Sequence, residues 1–194
     1  MITPDAAPQR VVEIAAAAVR GGADIVQIRH KALSRGELLV LAREVRALVT
    51  DALFIVNDHV DLALLSGADG VHLGPDDLSI AAARRVAGDR LLIGASASTV
   101  DAGRHAVEDG ADYIGCGATF ATPLKTDKRV IGPEGVAAVA KALAPTTVFA
   151  IGGIDENNLS QLTELGIRRA CVIRAVSDAA DPERAVRRLR GMLT

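Results

Sequence analysis

One phrase recurs along this chain and constrains its fold more than any other feature. Gly22-Ala23-Asp24, Gly67-Ala68-Asp69 and Gly110-Ala111-Asp112 are near copies, and Gly166-Ile167-Arg168 is a degenerate fourth. Each follows a helix-like stretch and precedes a short apolar run. A glycine that stops a helix and leads directly into a strand, repeated at the spacing of a β-then-α unit, predicts a closed parallel barrel. The main rival, an open doubly wound sheet, calls for a glycine-rich phosphate turn after its first strand, and no such turn follows the first strand here.

The stretches between these stops agree. Residues 8–20 read as an Ala-rich helix, 24–29 (DIVQIR) as a strand, and 34–49 as a helix opened by the capping box Ser34 and Glu37. The runs 53–56 and 70–73 are too short for helices and rich in β-branched residues, so they read as buried strands flanking a helix at 60–66. Further helices are expected at 78–87, 99–109, 133–144, 156–165 and 182–193, with strands at 91–95, 111–116, 147–151 and 170–173. This makes seven β-then-α units in 194 residues, a compact (β/α)8 TIM barrel forming a single domain over 1–194, whose first strand is very short or missing because only Met1-Ile2-Thr3 precedes Pro4. A missing strand would leave two sheet edges unpaired.

Composition fits a helix-covered parallel sheet. Hydrophobic residues make up 49% but aromatics only 2%, so the core is built from Ala, Val, Leu and Ile. A net charge of −2 and no Trp give no support for nucleic acid as a partner. No apolar run approaches the roughly 18 residues of a membrane span, and no secretory signal is evident at the start. Cys116 and Cys171 sit in or at the end of apolar runs and read as small buried hydrophobes. These features imply a cytoplasmic chain with reduced thiols and no membrane partner, and they leave a homodimer open.

In such barrels the active site lies at the C-terminal ends of the strands. Those ends carry Gln27, Arg29 and Lys31; Asn57 and Asp58; His72, Asp76 and Asp77; Ser96 and Ser98; the long loop 117–132, with Thr122 and Lys125; and Gly152-Gly153. Arg29, Lys31 and Lys125 suit phosphate oxygens, and Asn57 and Ser96 offer neutral donors. Asp58 and Asp77 are hard oxygen ligands of the kind Mg²⁺ takes, one or two carboxylates with substrate phosphates filling the shell. Gly152-Gly153 lets backbone N–H groups approach an anion. Taken singly each has a plainer reading: Asp58, Asp76 and Asp77 as helix caps, Gly152-Gly153 as a tight turn, His72 as a satisfied core histidine. Their convergence on one rim favours a site.

With these residues assembled, the chain resembles the thiamine phosphate synthase family. Gln27-Ile28-Arg29-His30-Lys31 matches Gln-Leu-Arg-Glu-Lys, and Asn57-Asp58-His59-Val60-Asp61-Leu62-Ala63 matches Asn-Asp-x-x-Asp-Leu-Ala. The run from Gly70 to Leu78 matches Gly-x-His-Leu-Gly-Gln-x-Asp-Leu with Pro75 for Gln, and Gly94-Ala95-Ser96-Ala97-Ser98-Thr99 matches Gly-x-Ser-x-His-Thr. The stretches Gly110 to Gly115 and Ala150 to Ile154 are also close.

The resemblance implies a Mg²⁺-dependent transferase of thiamine biosynthesis. Such an enzyme joins hydroxymethylpyrimidine diphosphate to a thiazole phosphate, or its carboxylated form, and releases diphosphate. It further implies Asp58 and Asp77 as metal ligands and Arg29, Lys31, Asn57, Ser96 and Lys125 as diphosphate ligands. Gln27 would contact the pyrimidine, and Thr122 with the backbone at Gly153 would meet the thiazole phosphate. The departures are His30 for Glu, Ser98 for His, and Ala118, Ala121 and Leu124 in the central loop for Pro, Pro and Thr. Two alternatives are a thiazole tautomerase-like isomerase and a catalytically silent barrel binding a phosphorylated ligand. Against the isomerase, Ser98 replaces the His that would serve as its acid/base group, and Asp58 is present.

Overall fold

The structure, a computed structural model, describes residues 1–122 and 129–194. Helix α1 (Pro8–Arg20) comes first, followed by alternating strands and helices: β1 (Ile25–Ile28), α2 (Arg35–Leu48), β2 (Leu53–Asn57), α3 (Val60–Ser66), β3 (Gly70–Leu73), α4 (Ile80–Ala87), β4 (Leu92–Ala97), α5 (Val100–Glu108) and β5 (Tyr113–Cys116). The second half holds α6 (Gly132–Ala142), β6 (Thr147–Ile151), α7 (Leu159–Glu164), β7 (Ala170–Cys171), α8 (Arg174–Ser177) and α9 (Pro182–Leu193). The strands pair in chain order, all parallel. The capping box at Ser34 and Glu37 is present. Ser79, Thr99 and Asp181 cap α4, α5 and α9 by accepting from the N–H groups of Ala82, Ala102 and Arg184.

Residues 1–3 close the sheet on itself. Ile2 donates to the Val172 carbonyl (3.0 Å) on one side, while Gln27 donates to Met1 and Thr3 to Gln27 (both 2.9 Å) on the other. The expected very short first strand is therefore a stub, present as one bridge between Ile2 and Gln27, and it occupies both edges that a missing strand would leave open.

The recurring phrase has a single structural meaning. Gly22, Gly67, Gly110 and Gly166 all take positive φ (88°, 69°, 104° and 80°). The next residue's N–H reaches back to the last turn of the helix: Ala23 to Ala18, Ala68 to Ala63 and Ala111 to Ala106 (all 2.9 Å), and Ile167 to Leu162 (3.0 Å). This is a Schellman closure, which needs a left-handed residue and so selects glycine.

The aspartates then grip the preceding strand. Asp69 accepts from the Phe54 N–H and from Arg46 (both 2.7 Å); Asp112 accepts from the Ile93 N–H (2.7 Å) and from Arg84 (2.6 Å). Asp24 has only the stub before it and pairs instead with Arg190 of α9 (3.1 Å). Inside, Phe54, Ile14, Ile28, Ile93, Ile114 and Leu162 are among the largest fully buried side chains. Each such burial contributes about 1.5–3 kcal/mol.

The differences from expectation are local. The last strand is two residues long because the chain turns at Ile173 into α8, which the short run Arg174-Ala175-Val176-Ser177 did not announce. Helix α7 begins three residues late, since Asp155 and Asn158 form a turn in which Asn158 accepts from the Asp155 N–H and Asp155 from the Asn157 N–H.

Candidate active site

The C-terminal rim gathers most of the expected residues. Register alone lines up the inner ones: Asn57 lies beside His72, His72 beside Gly94, and Ser96 beside Gly115. Asp58 follows directly on β2. Its φ is 66°, the one positive value outside glycine among the described residues, and its N–H donates to the His72 carbonyl (2.8 Å). A left-handed aspartate is tolerated but costs of order 1 kcal/mol, and such residues concentrate at functional sites. Asp58 does not cap α3: His59 holds that position, with no side-chain cap bond. Nor does Asp77 cap α4, where Ser79 does; Asp77 accepts instead from the Gly74 N–H (2.8 Å). The plainer reading of these two acids is thereby removed.

Asp58 and Asp77 meet each other and Lys31. Lys31 Nζ is bonded to Asp58 Oδ2. Burial raises the Asp58 carboxyl, but its hydrogen bonds with Lys31 and Asp77 and the Lys31 charge outweigh this and hold it below the usual carboxylate range. Asp77 is pushed the other way, by burial first and then by the hydrogen bond and charge of Asp58, with only partial relief from the Gly74 N–H and Lys31. Among the described residues, these two like charges meet a single cation, Lys31, which leaves the group short of positive charge. A divalent cation on hard oxygen donors relieves that condition, so the pair fits Mg²⁺.

Arg29 and Lys31 are braced from the N-terminal segment. Asp5 accepts from Arg29 NH1 (2.7 Å) and from the Lys31 N–H (2.6 Å), and the Thr3 hydroxyl accepts from the Arg29 N–H (3.0 Å). His30 accepts from the Ala32 and Leu33 N–H groups at Nδ1 and bonds the Ala6 carbonyl through Nε2 (2.9 Å). Asp5 was missed in the sequence because the stub before it was not counted as a strand. The same rim rule applied after residue 3 would have selected it.

Within the barrel, below the rim, lies a cavity of about 130 Å³ whose walls include Gln27, His72, Tyr113 and Phe149 and which extends toward the N-terminal end at Asp24 and Arg190. Gln27 is buried, and its Oε1 has no hydrogen-bond partner among the described residues. A buried acceptor without a donor costs about 1–3 kcal/mol, which a ligand donor would recover. On the far side, the start of the central loop is tied to β6 and to the glycine turn after it. Thr119 donates to the Ile151 carbonyl through both N–H (2.9 Å) and hydroxyl (3.0 Å), and Phe120 donates to Gly152 (2.9 Å). A Cβ at Gly153 would sit 2.6 Å from the Ala121 carbonyl oxygen, so this glycine permits the close approach of the two loops. That contact brings the Gly152-Gly153 turn against the segment leading to Thr122. Lys125 lies outside the described residues.

A closed parallel barrel with cations, neutral donors and a carboxylate pair on its C-terminal rim defines a phosphate-handling (β/α)8 enzyme. The comparisons narrow this class. A family model described as thiamine monophosphate synthase matches residues 1–176, and the chain belongs to that family. A thiamine-phosphate synthase of Anaeromyxobacter dehalogenans is 46% identical over 180 residues, covering 91% of this chain and 80% of that protein. One of Thermosynechococcus vestitus is 42% identical over 182 residues, and there the chain spans 93% of itself but about half, 52%, of the relative's length. The solved thiamine phosphate pyrophosphorylase of Pyrococcus furiosus superposes with a TM-score of 0.89 at 37% identity, covering 99% of this chain and 93% of that one.

Proposed function

We propose that this chain carries out the reaction of its family, joining the methylene carbon of an aminopyrimidine diphosphate to the nitrogen of a thiazole phosphate. The C–O bond to diphosphate breaks, the ring nitrogens and amino group stabilise the resulting cation, and the thiazole nitrogen forms the new C–N bond. No nucleophilic side chain is required. The protein's task is to neutralise the leaving group, hold the two rings in line and exclude water.

The observation that carries this reading is the rim cluster of Lys31, Asp58 and Asp77, with Asp77 raised and Asp58 lowered. Asp58 and Asp77 would hold Mg²⁺, which when bound supplies positive charge to the departing diphosphate. Arg29 and Lys31 exchange their carboxylate partners for diphosphate oxygens, with Asn57, Ser96 and Lys125 completing the set. Gln27 Oε1 accepts from the pyrimidine amino group, the donor it lacks. Thr122 and the backbone at Gly153 receive the thiazole phosphate. The proposed setting is cytoplasmic; no described helix is long and apolar enough to cross a membrane.

The test is an assay with both precursors, with and without Mg²⁺. The reading expects diphosphate release only when both precursors and the metal are present. Ligand binding without turnover, or isomerisation of the thiazole alone, would overturn it.

A further inference from the structure

Below the rim, three side chains from successive strands form a polar chain that reaches Ser96 from inside the barrel. His72 Nε2 lies 3.0 Å from Ser96 Oγ, and His72 Nδ1 lies 3.3 Å from the Tyr113 hydroxyl. Two glycines clear the space for it. A Cβ at Gly94 would fall 2.1 Å from Tyr113 Cζ and 2.4 Å from its oxygen; one at Gly115 would fall 3.1 Å from His72 Cε1. Gly94 is the register partner of both His72 and Tyr113, and Gly115 that of Ser96; the Tyr113 ring lies over Gly94 of the adjacent strand, and the His72 ring reaches across β4 to Gly115 of β5. Phe149 packs edge-on against Tyr113 at 5.6 Å and holds the phenol in place.

The chain has a direction. Among the described residues His72 Nδ1 is the one hydrogen-bond partner of the Tyr113 hydroxyl. Burial pushes that phenol above its ordinary value, so it keeps its proton. A buried O–H left undonated is costly, and so it donates to Nδ1. A neutral imidazole that accepts at Nδ1 carries its proton at Nε2 and donates it to Ser96 Oγ. With one lone pair occupied from below, Ser96 keeps its own O–H for a partner on the rim. The opposite polarity would spend that proton on His72 and turn lone pairs toward an anion.

We infer that Tyr113 and His72 set the polarity of Ser96, making its hydroxyl a dedicated donor to an anionic group at the rim. His72 is a positioning residue that acts through Ser96. The inference rests on the reading of Ser96 as a diphosphate ligand.

The test compares wild type, Tyr113→Phe, Ser96→Ala and the double variant in the two-precursor assay and in titrations with inorganic diphosphate plus Mg²⁺. Tyr113→Phe keeps the ring on Phe149 and removes one hydrogen bond, so a loss of about 3- to 10-fold in diphosphate affinity and in kcat/KM is expected. In the Ser96→Ala background the same change is expected to cost nothing further. Nitrogen-15 spectra of the wild type should show His72 protonated at Nε2, with a mixture of tautomers in Tyr113→Phe. Equal losses with and without Ser96, or a wild-type proton on Nδ1, would overturn the inference while leaving Ser96 as a ligand. If Ser96→Ala alone leaves diphosphate affinity and turnover unchanged, the ligand reading fails and the inference with it.

Discussion

The two ends of the barrel use the same residue types to opposite effect. At the N-terminal end, Asp69 and Asp112 each sit between a backbone N–H and an arginine, and both partners are fully engaged. At the C-terminal end, Asp58 and Asp77 face each other across one lysine, one pulled down and the other pushed up in pKa. The first arrangement joins a helix to the strand before it and has nothing left to bind. The second is short of positive charge among the described residues, with one member on a left-handed backbone. The proposed site is therefore marked less by which residues are present than by whether their neighbours satisfy them.

Substitutions at the two ends should separate stability from activity. The largest effect is expected from Asp77→Ala, which should lower turnover by about 10²- to 10³-fold while leaving the melting temperature of the metal-free protein unchanged or raised. Steady-state kinetics and a thermal melt check both halves. Next, Gly94→Ala places a methyl against the Tyr113 ring, and overpacking of this kind costs about 1–3 kcal/mol. Denaturant unfolding would measure that loss, and activity should fall with it because Tyr113 must move. Asp112→Ala should cost about 2 kcal/mol through the loss of bonds to a backbone N–H and an arginine, with turnover at 25 °C retained. A fall in turnover without a fall in stability would erase the distinction between the two ends.

The smallest effect is a pH dependence. Because the folded pKa of Asp77 is raised, the folded state holds its proton more tightly than the unfolded chain does. Stability of the metal-free protein therefore falls as pH rises from the ordinary carboxylate value through the raised one. Asp58 acts with the opposite sign, its contribution being present above the ordinary value and lost as pH falls through the lowered one. Asp77→Asn removes the first contribution. That variant should melt above wild type near neutrality, with the gap closing in acid. Melts over a pH series in chelator would show it, and a constant gap would contradict the assigned direction.

Much of this contrast was legible in the sequence, unevenly. The helix stops were readable because a Schellman closure needs glycine at one position and tolerates little else. The grip of Asp69 and Asp112 on the preceding strand was not, since nothing local distinguishes an aspartate that reaches a neighbouring strand from one that faces water. At the rim, strand ends selected Arg29, Lys31, Asn57, Asp58, Asp77 and Ser96. The rule passed over Asp5 because a three-residue stub, bonded on both sides, carries no periodic signal. His72 read as a satisfied interior histidine, and it is hydrogen-bonded to Ser96 and Tyr113; these lie 24 and 41 residues further along the chain, on the next two strands of the sheet, and no local pattern links them.

The central claim is that the unsatisfied acid pair at the C-terminal end is a metal and diphosphate site, and that the satisfied acids at the other end are not. The most direct test is calorimetric titration of diphosphate, with and without Mg²⁺, into wild type, Asp77→Asn and Asp112→Asn. The account predicts Mg²⁺-dependent binding in wild type and Asp112→Asn and its loss in Asp77→Asn. Undiminished metal-dependent binding in Asp77→Asn, or an equal loss in both variants, would contradict it.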